Sequence, residues 1–99
     1  MRITYKIVII DEAKLDYKKS LKWYKDINPK LADRFNTSFK ESLALIKKNP
    51  LHFQIRYNDV RLIMITKFPY LIHFTVYENL IVIKAIYHSS RDSKLNLQF

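Results

Sequence analysis

Between Gln54 and His88 apolar residues predominate, in runs such as Leu62 to Ile65 and Leu80 to Ile83 broken by single polar positions, and Val, Ile, Tyr, Phe and Thr dominate the segment. Such residues suit a pleated, half-buried surface, so the segment predicts an antiparallel meander. Its breaks set the register. Asn58-Asp59 and Glu78-Asn79 read as two-residue turns, which places Tyr57 opposite Val60 and Tyr77 opposite Leu80. Phe68-Pro69 divides the segment, because proline has no amide to give to a ladder. Counting back from Glu78-Asn79 sets Thr75 opposite Val82, His73 opposite Lys84 and Leu71 opposite Ile86. The other face then carries Tyr70, Ile72, Phe74 and Val76 against Ile81, Ile83, Ala85 and Tyr87. This almost wholly apolar set is the expected core face.

Ahead of the meander the period changes. Ile3 to Ile10 alternates and then runs apolar, as a buried strand does. Asp11 suits the N-cap of a helix from Glu12 to about Asp26, in which Ala13, Tyr17, Leu21 and Tyr24 recur at helical spacing. Asn28-Pro29 ends that helix, and Pro29 suits the first turn of a second one running to about Lys48. The second stripe is Leu31, Phe35, Phe39, Ser42 and Ile46, and Asn49-Pro50 stops it. Two helices on so short a link form a hairpin whose joint apolar face lies on the sheet. Past His88, the run Ser89 to Ser93 reads as a polar turn, and Leu95, Leu97 and Phe99 alternate as a short strand would. The expected architecture is α+β in two layers over a single domain, residues 1–99. Its order is a strand, a helix hairpin and an antiparallel meander of three to four strands.

Composition narrows the chemistry. Eighteen Lys and Arg against nine Asp and Glu leave a formal charge of +9, which points to an anionic partner: nucleic acid or an acidic protein. The chain has no glycine, so Gly-rich phosphate loops and the Gly-x-Ser-x-Gly nucleophile elbow are excluded. It has no cysteine, which removes disulfides, thiol nucleophiles and zinc–thiolate sites. His52, His73 and His88 lack the i, i+4 spacing of a helical metal site, so neither metal nor cofactor is expected. The apolar run Ile7 to Ile10 is too short for a signal peptide or a membrane span; a cytoplasmic protein with no membrane partner is expected.

The candidate chemistry gathers on the meander face away from the core. If Lys67-Phe68-Pro69 is a three-residue loop, Arg56 falls opposite Arg61. That face then collects Arg56, Arg61, His73, Lys84 and His88, with Arg91 just beyond the last strand. Opposed arginines repel by about 0.2–1 kcal/mol, a cost that an anionic partner offsets. Arg56, Arg61, Lys84 and Arg91 could hold a phosphodiester and offset charge on a pentavalent phosphorus, with His88 as general acid or base. Tyr87 has core parity and reads as structural. Ile63, Ile65, Leu71, Val82 and Ile86 lie between the charges, and such a face suits an acidic amphipathic peptide that folds on binding.

Several short pieces occur in a characteristic order: Asp11-Glu12-Ala13, Leu31-Ala32-x-Arg34-Phe35, Asn49-Pro50, Val60-Arg61, Phe68-Pro69-Tyr70 and Ile86-Tyr87-His88-x-x-Arg91-Asp92. On these the chain resembles the RelE/ParE superfamily of toxins from bacterial type II toxin–antitoxin modules, often labelled plasmid stabilisation proteins. The resemblance implies the RelE-like fold and a basic growth-inhibiting toxin, held inactive by an acidic antitoxin in a toxin–antitoxin hetero-oligomer. It leaves two activities open. A ParE-like toxin acts by binding an essential target, with DNA gyrase the associated one. A RelE-like toxin is an endoribonuclease that cuts mRNA on the ribosome, and here Arg61, His88 and Arg91 would be its catalytic residues. A third reading is an inactive toxin fold that only binds. The Phe68-Pro69-Tyr70 break and the His88-x-x-Arg91-Asp92 ending resemble the ParE-like branch.

Overall fold

The computed structural model describes residues 3–89. Helix α1 spans Asp11–Ile27 and α2 spans Pro29–Lys48. Ile10 is the N-cap of α1 and offers no side-chain bond; Asp11 is the first helical residue instead. There its carboxylate, with that of Glu12, faces the positive end of the helix dipole. Asn28 closes one helix and opens the next: its amide donates to the Tyr24 carbonyl at 2.8 Å, and its Oδ1 accepts from the Lys30 amide at 2.9 Å. Pro29 follows in the first turn of α2, where its missing amide costs nothing.

The two helices meet the sheet through an aromatic cluster. Phe35 is fully buried, with ring centroids 5.2 Å from those of Tyr24, Phe68 and Tyr70 and 5.9 Å from that of Tyr17. Tyr17 also donates its hydroxyl to Oδ1 of Asn36, which ties the hairpin across its open side. Beneath the rings lie Ile72, Phe74, Ile81, Ile83 and Ile86, none more than 2% exposed.

Five strands form one mixed sheet: β1 (Lys6–Ile9), β2 (Ile55–Tyr57), β3 (Val60–Met64), β4 (Tyr70–Tyr77) and β5 (Leu80–His88), in the order β1-β5-β4-β3-β2. The α+β class is as expected, with the meander at four strands and the first strand added parallel to the last. A 3-10 turn, Pro50–His52, leads from α2 into β2.

The turn-proximal register agrees with the pattern: Tyr57 pairs with Val60, Tyr77 with Leu80 and Thr75 with Val82. Three local irregularities overturn the rest. Lys84 is an extra residue in β5, so Phe74 pairs with Ile83 but His73 pairs with Ala85, not Lys84. Leu71 therefore pairs with Tyr87 and Ile72 with Ile86, and every residue from Ala85 to His88 changes face. Arg56 is likewise passed over in β2, because Ile55 rather than Arg56 pairs with Arg61. The β3–β4 connection is four residues, Thr66 to Pro69, closed by the Ile65 amide donating to the Tyr70 carbonyl at 2.8 Å. One residue more than expected turns Arg61, Ile63 and Ile65 to the helix side, where Arg61 pairs with Phe74 and Ile65 is fully buried.

Candidate functional site

Of the six residues expected to form one cationic face, the five that are described, Arg56, Arg61, His73, Lys84 and His88, do not share it. Arg56 stands exposed at the β2 irregularity, and Lys84 stands exposed at the β5 bulge. Arg61 lies on the helix side, where its Nη1 donates to the Phe53 carbonyl at 2.5 Å. The opposed arginine pair, and the repulsion it would carry, is therefore absent. His88 pairs with Tyr70 on the helix side, the two rings 5.1 Å apart in an edge-on arrangement. Arg61 and His88 are aligned with Phe74 and Tyr70 of β4, four positions apart, which is about 13 Å along a strand. Arg91 and the alternating tail Leu95 to Phe99 lie outside the described residues.

His73 alone keeps its expected face, but not its expected surroundings. It is 1% exposed rather than solvated. The Tyr57 hydroxyl reaches over β3 to within 2.8 Å of its Nδ1, and Tyr87 packs against its other side with ring centroids 5.3 Å apart. Its Nε2 is buried with no hydrogen-bond partner among the described residues. Burial lowers its pKa to about 4, because the imidazolium would lose its hydration. The same burial, followed by the neighbouring Tyr87, raises the pKa of the Tyr57 hydroxyl. Tyr57 and His73 therefore stay neutral near pH 7, with the Tyr87 ring packed beside them. The group is a polar knot that fixes three strands together, and it can present hydrogen bonds but not charge.

Tyr57 and Tyr87 escaped the sequence pattern for related reasons. Tyr87 reads as core until the extra residue at Lys84 is known. Tyr57 is recognisable as a partner for His73 only once the length of the Thr66 to Pro69 loop is known. A third missed residue is Asp16 of α1. β1 reaches only as far as Ile83 of β5, where the Ile10 amide donates to the Ile83 carbonyl at 3.2 Å. Beyond the bulge the Asp16 Oδ2 takes over, accepting from the Ile86 amide at 3.1 Å. A helix carboxylate thus continues the row that the first strand leaves off, and holds the bulge in place.

Cations also gather at the β2 margin. Lys47 and Lys48 end α2, Leu51 follows in the 3-10 turn, and Ile55, Arg56 and Arg61 lie on β2 and β3. Among the described residues no carboxylate forms an ion pair with any of these four cations; Lys22 and Asp26 of α1 do pair, at 2.9 Å. No helix among the described residues is long and apolar enough to cross a membrane. Nor do any described residues form a group of three or more His, Asp or Glu that could hold a metal ion.

A search of curated proteins finds no match. Among solved structures the chain is similar to one described as the chromosomal ParDE toxin–antitoxin system from P. aeruginosa, at 18% identity and a TM-score of 0.74. The match covers 86% of this chain and 96% of that one, and at such identity it establishes the shared fold. The family model for the ParE toxin of type II toxin–antitoxin systems, parDE, matches residues 7–93. That span runs from β1 past the end of β5 and takes in both helices and every strand of the sheet, so the chain belongs to the ParE toxin family of type II toxin–antitoxin systems.

Proposed function

We propose that this toxin arrests growth in the cytoplasm by binding an essential target, with DNA gyrase the leading candidate, and that an acidic antitoxin neutralises it. The observation that carries this reading is the separation of the groups a nuclease would need. A general acid must come within hydrogen-bond reach of the group it serves, directly or through one water. Arg61 and His88 stand about 13 Å apart along the sheet. His73 is on the opposite face, neutral and enclosed by two tyrosines. What remains accessible is cationic and apolar surface, which supports recognition rather than bond cleavage.

Purified protein incubated with gyrase and supercoiled plasmid tests the proposal directly. Accumulation of cleaved, gyrase-linked DNA is the expected result, together with intact mRNA on translating ribosomes. Position-specific mRNA cuts that disappear in His88→Ala would replace this reading with the ribosome-dependent endoribonuclease. Inertness in both assays, with no growth arrest on expression, would leave only a binding fold.

A further inference from the structure

The helices cover one face of the sheet, and the other face is apolar. Two rows of paired residues run across it: Leu62, His73 and Ala85 in one, and Met64, Leu71 and Tyr87 in the next. Neither row contains a lysine, an arginine or a carboxylate. Leu62 and Leu71 are half-buried and stand outside the core that joins the sheet to the helices, while Met64 is 56% exposed. None of the described helices packs on this side. An apolar sheet face of this kind is seldom left to water in a single folded chain.

The chain itself supplies a segment of matching character. Beyond β5 the Ser89 amide donates to the Pro69 carbonyl at 2.7 Å, and residues 90–99 follow. Leu95, Leu97 and Phe99 alternate with Asn96 and Gln98. In extended form such a stretch is apolar on one side and amide on the other, with no charged side chain on either. A neutral stretch on neutral rows strips no ion of its water, whereas an acidic one would desolvate its carboxylates there and gain no ion pair. The span suffices as well. Ser89 stands four positions past Ala85, which is about 13 Å along a strand, and residues 90–94 reach about 16 Å when extended. The ParE family match ends at residue 93, so this stretch lies outside what the family model describes.

We propose that residues 95–99 are a cover built into the chain for this face. Leu95, Leu97 and Phe99 seat on the two rows beside the Tyr57–His73–Tyr87 group, and Asn96 and Gln98 turn to solvent. The contact is intramolecular and does not depend on which target the toxin binds. Any partner that reaches these rows must first displace the cover, so the segment is an autoinhibitory contact for this face alone.

The chain has no cysteine, so a Gln98→Cys variant takes a nitroxide at one site. Met64 is one of two methionines, which makes its methyl group a resolved NMR probe in the full chain labelled with methyl-13C methionine. The Met64 methyl and the Leu62 amide are expected to lose more than half their intensity relative to the reduced label, while the Asp33 and Glu41 amides of α2 keep theirs. Full intensity at Met64 overturns the proposal. Broadening of equal size in a mixture of separately nitroxide-labelled and isotope-labelled chains also overturns it, because the occupant is then a second copy.

Two matched variants test which side of the stretch does the seating. Leu95→Asp/Leu97→Asp and Asn96→Asp/Gln98→Asp add the same charge to the same residues of the chain. The first is expected to raise the fluorescence of anilinonaphthalene sulfonate at least threefold and to shift the Met64 methyl; the second is expected to leave both near the parent values. Equal effects overturn the proposal, since the apolar side of the stretch would then have no special role. Neither variant alters residues 3–89, and circular dichroism melts check that the fold survives.

Discussion

The Tyr57 hydroxyl lies 2.8 Å from Nδ1 of His73, joining β2 to β4 over the strand between them. Because Nε2 of the same ring is buried without a partner, the Tyr57 contact is the one hydrogen bond the imidazole makes among the described residues. Tyr57→Phe strands a second ring nitrogen and is expected to destabilise the fold by about 1–3 kcal/mol. Adding His73→Phe removes both nitrogens, so the double variant should be more stable than Tyr57→Phe alone. Urea denaturation of the three proteins checks the order.

Acid should weaken this fold through His73. Its folded pKa of about 4 lies below the ordinary histidine value of 6.5, so the unfolded chain binds the extra proton between those limits. The stability linked to the neutral ring is fully present above pH 6.5 and is lost as pH falls toward 4. The slope reaches at most about 1.4 kcal/mol per pH unit. Urea midpoints taken from pH 7.5 to 5 should fall for the parent and flatten for His73→Phe. A parent curve that is level across this range would contradict the burial of the ring.

Asp16 is expected to control the bulge at Lys84. Asp16→Leu removes the acceptor of the Ile86 amide and should cost about 1–3 kcal/mol, with faster hydrogen exchange at Ile86 than at Ile81. Asp16→Asn keeps an oxygen in place and should preserve most of the protection. Amide exchange followed by NMR distinguishes the two outcomes.

Lys67 and Glu78 hold left-handed backbone, with φ of 70° and 54°. An L-residue there costs roughly 1–2 kcal/mol, and glycine avoids that cost while losing more entropy on folding. In a chain without a single glycine, Lys67→Gly and Glu78→Gly are each expected to stabilise the fold by about 0.5–1 kcal/mol. Asn58, at φ 48°, should gain less from the same change, because asparagine tolerates this region. Thermal melts suffice to compare them.

Phe35 is the keystone of the helix–sheet contact. Phe35→Ala should cost about 3–5 kcal/mol, a large share of what a domain of this size can spare, and should abolish growth arrest through unfolding. Phe35→Leu should retain a cooperative transition at lower urea.

The helix boundaries were legible because asparagine and proline mark them chemically: Asn28-Pro29 between the helices and Asn49-Pro50 after them. The tight turns were legible for a similar reason, since Asn58-Asp59 and Glu78-Asn79 sit between strongly patterned runs. Facing was not. A strand pattern has a period of two, so one inserted residue inverts everything downstream of it. The extra residue at Lys84 moved Tyr87 and His88 across the sheet, and the extra residue in the Thr66 to Pro69 loop did the same to Arg61. The carboxylate that steadies the first of these irregularities, Asp16, lies seventy positions from the Ile86 amide it bonds, beyond the reach of any local pattern. The ParE family was legible from the ordered short pieces, which depend on chain order and not on facing.

β1, laid down first, finds its neighbour only in β5, laid down last. Until β5 is in place the second position of the sheet is empty, and the first strand has no edge to join. Closing so long a loop is a slow, late event for a folding chain, so the parallel pair is the piece that completes the sheet.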